Sequence, residues 1–272
     1  MDFLFGFFVF VLGLVIGSFL NVCIYRIPNE KSIISPPSSC TTCNTRIKWY
    51  DLIPVLSYLI LRGKCRSCGE KISPRYMLIE LLTGILFLLC FLVFGLSWQF
   101  LAYIILTSIL IGITFIDIDF QIIPDSFMIF GLIVGVAFVI AGVVPSGEDT
   151  FWGNIITGLI GMACGAGPLI IINLFSLAIL KRDGIGGGDI KLMGVVGLFI
   201  GMKNILLAMV LGIIVAGVYS LIYMRKVRSD ETEEESEESG MHEIPFGPFL
   251  ALGCFVSMLF GQQILDWYLN LL

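Results

Sequence analysis

The chain reads as an all-α polytopic membrane protein of seven to eight transmembrane helices, with a polar, cysteine-bearing loop between the first and second. Three observations lead there. Apolar residues make up 57% of the chain and charged ones only 14%, and the mean hydropathy is +0.98, which excludes an ordinary soluble domain. Apolar runs long enough for the roughly 20 residues of a bilayer crossing recur along the chain. The basic residues then fall almost entirely on one side of those runs.

In chain order, the expected spans cover residues 2–25, 76–95, 98–116, 126–144, 152–180, 190–200, 204–224 and 245–269. The opening run has Asp2 where a signal peptide carries positive charge, and no A-x-A site follows it. It is therefore read as a retained span, residues 1–25. The sixth run is about half a crossing long and is compatible with a re-entrant helix. Orientation follows from lysine and arginine. Residues 26–75 carry nine of them, 181–191 three and 225–228 three, leaving only Lys203 on the other face. With eight spans, that basic face is cytoplasmic and both termini lie outside.

The net charge of −5 conceals this bias, because eight acidic residues lie between positions 230 and 243. The run, SDETEEESEES, has too little apolar content to fold alone. An acidic, solvated cytoplasmic loop is expected over residues 229–243. The single histidine, His242, adjoins it and is assigned no role.

Four of the eight cysteines form C-x2-C-x21-C-x2-C: Cys40, Cys43, Cys65 and Cys68. Two thiolates three positions apart on a tight turn can point at one centre, and a second such knuckle completes a tetrahedral site. Soft thiolates in a reducing compartment favour Zn2+ over disulfides. Four sulfurs leave no open coordination position, so the metal is structural. It organises residues 26–75, a cytoplasmic zinc-knuckle loop with few apolar residues for a core. Cys23, Cys90, Cys164 and Cys254 lie within spans and are read as packing residues.

The remaining region, 76–272, carries the ionisable groups of interest. Asp117 closes the third span in TFIDIDFQIIPD, and Asp189 follows the glycines of GIGGGDIK. Carboxylates at membrane depth are costly and mark functional sites. Two on one face suit acid/base chemistry, in which a pair shares one proton. Gly186 and Gly188, with their neighbours, remove side chains beside Asp189, so a peptide backbone could approach. Plainer readings stand beside these. Asp189 could cap the helix that follows, Asp119 could replace Asp117, and Asp125 reads as the N-cap of the fourth span. Glu80 lies a turn inside the second span, either snorkelling toward Arg75 or receiving a basic segment or amine of a substrate. Asn21 reads as an interhelical hydrogen-bonding residue.

Several of these stretches together resemble the type IV prepilin peptidases, bifunctional leader peptidase/N-methyltransferases of the GxGD aspartic protease class. The likeness rests on GSFLNVCIYRIP (17–28), the cysteine knuckles, WYDLIPVLSYLILRGKCRSC (49–68) and ISPRYMLIELLTG (72–84). It continues in FIDIDFQIIPD (115–125), GIGGGDIKLMG (184–194) and IPFGPFLALG (244–253). The resemblance implies that Asp117 and Asp189 are the catalytic aspartates and that the four loop cysteines bind zinc. It also implies cleavage of a basic leader, after glycine, from prepilins or pseudopilins at the cytoplasmic face of the inner membrane. Methylation of the new amine by S-adenosylmethionine would follow, an activity that the resemblance associates with the cytoplasmic loop at residues 26–75. Many proteobacterial members carry a longer stretch before the first knuckle and a glutamate-asparagine pair where this chain has Tyr50 and Asp51. The acidic run is outside the family pattern.

Alternatives remain at this point: a peptidase without methyl transfer, a protease of another GxGD branch, or a transporter or scaffold with a zinc loop. Membrane lipids are expected partners and nucleic acid is not; oligomeric state is not readable from the chain.

Overall fold

The computed structural model describes residues 2–144, 150–181, 184–230 and 245–271, with the side chains of Asp2 and of residues 226–230 excepted. The acidic run, beyond Asp230, and His242 lie outside the described residues. Among those described, the secondary structure is helical, without strands. Six helices are long and apolar enough to cross a membrane, so the all-α polytopic expectation holds.

Two compact units divide the chain at Ile116 and Asp117. The first contains α1 (Asp2–Arg26), a 3-10 turn (Trp49–Leu52), the short α2 (Leu56–Ile60), α3 (Arg75–Phe94) and most of α4 (Trp98–Phe120). The first span, the polar loop and the next two spans thus share one unit. Helix α1 lies against α3 through small residues. A Cβ on Gly13 would stand 2.7 Å from the Gly84 Cα, and one on Gly17 would stand 2.7 Å from the Glu80 Cα. Such close approach is how apolar helices gain packing energy in a solvent as apolar as themselves. Asn21 adds the interhelical bond expected of it, its Nδ2 donating to the Tyr76 carbonyl at 3.0 Å.

The second unit holds the last turn of α4, then α5 (Asp125–Ile140), α6 (Phe151–Leu180), α7 (Gly187–Asp230) and α8 (Gly247–Leu269). Helix α5 has 16 residues, a rise of about 24 Å, slightly under the roughly 30 Å of a hydrocarbon core. Helix α7 merges the expected sixth and seventh spans into one element of 44 residues, interrupted at Gly201 with φ 74° and ψ 175°. Only glycine adopts that conformation readily. The first arm, ending before Gly201, is buried from Leu192 through Ile200. It is the centre of the unit.

Its neighbours explain the burial. Gly161 of α6 faces the Gly197 carbonyl of α7 so closely that neither position has room for a Cβ. From α5, Gly135 accepts the Phe199 ring, and from α8 the Cys254 sulfur lies 3.7 Å from the Met193 sulfur. The half-length sixth segment expected from the sequence is thus ended by the break at Gly201 and surrounded by protein.

Candidate active site and metal centre

The second unit presents a cavity of about 340 Å3 lined by Asp117, Ile122, Ile123, Gly188 and Asp189, with Asp125 and Lys191 also on its wall. Its volume is within the range of small-ligand sites. Local sequence explains how the carboxylates reach it. Asp117 occupies the last turn of α4, which ends where Gln121 turns left-handed at φ 53°. The Gln121 amide closes that turn on the Asp117 carbonyl at 2.9 Å. Ile122 and Ile123 then lead to Pro124, whose fixed φ sets the entry to α5. Asp189 stands at the third residue of α7, after the glycine run.

Asp117 is 7% exposed. The Gly247 amide, at the first residue of α8, donates to its Oδ2 at 3.0 Å. A Cβ at position 247 would lie 2.6 Å from that oxygen, so glycine there is a requirement of this contact. Asp119, two residues on, is exposed and does not line the cavity. Asp125 opens α5 as its first helical residue, after Pro124 as N-cap. Its carboxylate pairs with Lys191 Nζ at 2.6 Å, so it sits one place inside the N-cap expected of it.

The glycines divide by role. Gly187 has open space where a side chain would project, and a Cβ on Gly186 would meet only Asp189 Oδ2, at 3.4 Å. Gly188 is different, since a Cβ there would strike Ile123 at 2.8 Å. One glycine is thus packed and its neighbour is free. The run is tied to α6 by Asn173, whose Oδ1 accepts from the Gly184 amide at 3.0 Å and the Ile185 amide at 3.2 Å. Sequence reading passed over Asn173 and gave Gly247 no role. The Gly-Pro at 247–248 was a visible helix-start signal, but its partner lies 130 positions away.

In the first unit, the sulfurs of Cys40, Cys43, Cys65 and Cys68 all lie within 4.8 Å of one another. Cys40 and Cys68 sulfurs are 3.8 Å apart, matching the edge of about 3.8 Å that a tetrahedron has when its metal–sulfur bonds are about 2.3 Å. The two knuckles are built alike. The Asn44 amide returns to the Cys40 carbonyl and the Gly69 amide to the Cys65 carbonyl, each at 2.9 Å. Asn44 and Gly69 both have positive φ, 55° and 74°, which these residue types tolerate best. An antiparallel bridge flanks each knuckle, Ser39 with Arg46 and Lys64 with Lys71. The Thr45 hydroxyl, 3.4 Å from the Cys43 sulfur, and the Thr45 backbone hold that thiol down at about 6. A thiolate is the form a metal binds. Four clustered sulfurs at tetrahedral spacing suit a soft divalent ion.

Asp51 and Arg66 fasten the second knuckle to the 3-10 turn. Arg66 Nη2 donates to Asp51 Oδ1 at 2.6 Å and its Nε to Oδ2 at 2.9 Å. The guanidinium holds the Asp51 carboxyl below its ordinary range, chiefly through these hydrogen bonds. The carboxylate of Glu80, buried on α3, accepts from the Val55 amide at 2.8 Å. Arg75 instead directs its guanidinium at the Phe115 carbonyl, 3.3 Å away, and over the Phe115 ring.

Comparison with known proteins agrees with this organisation. Residues 11–94 match the Bacterial Peptidase A24 N-terminal domain, and residues 104–221 match the Type IV leader peptidase family. A prepilin leader peptidase/N-methyltransferase of Bacillus subtilis (strain 168) is 33% identical over 262 residues, covering 96% of this chain and 97% of its own. The chain belongs to the type IV leader peptidase family. A relative of the same description from Stutzerimonas stutzeri is 33% identical over 285 residues, covering 96% of this chain and 92% of its own. One from Myxococcus xanthus (strain DK1622) is 39% identical over 203 residues, covering 75% of this chain and 58% of the relative. No solved structure gives a significant match. The first family match spans the cysteine loop, and the second spans both Asp117 and Asp189.

Proposed function

We propose that this chain removes the basic leader of type IV prepilins or pseudopilins, cutting after glycine at the cytoplasmic face of the inner membrane. The observation that carries the reading is the shared cavity of Asp117 and Asp189 beside open glycines, in a chain of this family. One carboxylate takes a proton from water as its oxygen adds to the scissile carbonyl. The other, protonated, donates to the carbonyl oxygen; as the resulting gem-diol collapses and the carbon–nitrogen bond breaks, the first returns its proton to the expelled amine and the second takes back a hydroxyl proton. An amide N–H can only donate, so Asp117 Oδ2 is committed as an acceptor from Gly247. The proton shared by the pair then resides on Asp117 Oδ1 or on Asp189. We place the peptide beside Gly188, on the cavity wall, and Gly186, next to the Asp189 carboxylate; Asp119 lies off that wall. Glu80, read from the sequence either as snorkelling toward Arg75 or as receiving a basic segment or amine, accepts from the Val55 amide, and we give it no step in the cleavage.

The four cysteines would hold Zn2+, which supplies a structural crosslink within residues 26–75. Methylation of the freed amine is the second activity that the relatives' names attach to them. Its donor would be S-adenosylmethionine. Among the described residues no strand precedes the glycine run that opens α7, unlike the strand–turn–helix unit of a dinucleotide cradle, and no residue is assigned to the donor. The peptidase reading is tested by processing a prepilin in membranes containing wild type, Asp117→Asn or Asp189→Asn. Each substitution is expected to abolish leader removal; normal cleavage by either variant overturns the dyad.

A further inference from the structure

The loop between the cysteine knuckles carries an apolar surface that the metal site does not use. We infer that residues 49–60 form a re-entrant anchor seated in the headgroup layer of the bilayer, with an anionic lipid surface as its partner. This holds whether or not the chain is a peptidase, because it rests on the membrane spans and the loop alone.

Depth is set by one contact. Glu80 lies five residues beyond Arg75, the first residue of the span α3, which places it about 7 Å along the helix axis. It is buried, and its carboxylate accepts from the Val55 amide at 2.8 Å. A loop lying wholly in water beyond the helix end would not bring its backbone to that level. Val55 is also held at φ 60°, unusual for a β-branched residue, so the descent of the chain is fixed by its surroundings.

Around that point the side chains that face outward are apolar. Trp49 is 79% exposed, Leu59 58% and Ile60 65%, and Leu52, Ile53 and Leu56 are exposed as well. The adjoining turns of α3, a candidate membrane span, expose Tyr76 and Leu78, so the patch adjoins an exposed apolar face of that span. In water such a patch would be a liability. At headgroup level it has a natural solvent, and Trp49 and Tyr50 suit the interface, where amphipathic rings concentrate. Lys48, Arg62 and Lys64 are exposed at the two ends of the segment, positioned for lipid phosphates.

The test uses the full-length protein in phosphatidylglycerol-containing vesicles, with Trp98, Trp152 and Trp267 changed to Phe so that Trp49 alone emits. Lipids brominated near the ester end of the acyl chain are expected to quench Trp49 strongly, and those brominated near the methyl end less so. A paired Leu56→Lys and Ile60→Lys change should abolish that quenching with metal content unchanged. Emission that ignores brominated lipid and is quenched by aqueous acrylamide would show a water-facing loop and overturn the inference. Emission shielded from both quenchers would also overturn it, in favour of a protein partner such as a second copy.

Discussion

The backbone amide of Gly247 donates a 3.0 Å hydrogen bond to Asp117 Oδ2, joining the start of the last helix to a carboxylate 130 positions earlier. Asp117 thereby loses the freedom to rotate about its side chain. In the proposed reaction Asp117 is a reacting group, and one held within a fraction of an ångström is worth far more than one of the same chemistry left mobile. Gly247→Ala adds a Cβ 2.6 Å from that oxygen and must push the carboxylate or the helix start aside. A loss of leader cleavage of about a hundredfold is expected, falling on kcat, measured with a purified prepilin in proteoliposomes.

Removing one sulfur from the metal centre should be all-or-none for the ion. Cys40→Ser leaves three thiolates around a site whose Cys40 and Cys68 sulfurs stand 3.8 Å apart. Bound zinc is expected to fall from about one per chain to near zero, read by metal analysis of purified protein. Leader cleavage should suffer less than metal binding, since the proposed dyad of Asp117 and Asp189 lies in the other compact unit.

Glu80 should matter as an acceptor more than as a charge. Glu80→Gln keeps an oxygen for the Val55 amide, whereas Glu80→Ala leaves that amide without it. The alanine variant is expected to cost about 2 kcal/mol, the scale of a hydrogen bond to a charged group, and the glutamine variant less. Protease sensitivity of the loop, with thermal unfolding, separates the two.

The Asp51–Arg66 clamp gives a dependence on pH with a definite sign. The folded carboxyl of Asp51 is held below its ordinary value by Arg66, so the clamp's stabilisation is fully present above the unfolded value of about 3.9. It is lost as pH falls through the lower, folded value. Cleavage of the loop by an acid-active protease should rise in that window, and in Asp51→Asn the rise should disappear.

Packing around the buried arm of α7 leaves no tolerance for volume. Gly161→Val places a branched side chain against the Gly197 backbone. Overpacking of this kind costs about 3 kcal/mol, which unfolding in mixed detergent should reveal. Lipid cannot relieve the strain, because backbone meets backbone there.

Much of this protein was legible as a linear pattern. Apolar runs and one-sided lysines and arginines determine a helical membrane chain, because hydrocarbon admits no unpaired backbone. The spacing of Cys40, Cys43, Cys65 and Cys68 determines a four-sulfur centre, since each knuckle is local and its turn residues, Asn44 and Gly69, are themselves visible. What the tertiary structure decided was of another kind. Residues 190–200 are apolar whether lipid or protein surrounds them, so only packing on Gly161 and Gly135 makes that arm a core. Between Asp117 and Asp119 charge and position are symmetric; the resemblance favours Asp117, and the structure adds that Asp117 is buried while Asp119 is exposed. Gly247 and Glu80 were ambiguous for the same reason: each makes its decisive hydrogen bond to a residue far away in the chain. Periodicity and composition report on the solvent of a segment. They carry no record of which distant backbone amide will arrive at a given carboxylate, and that depends on how the helices pack.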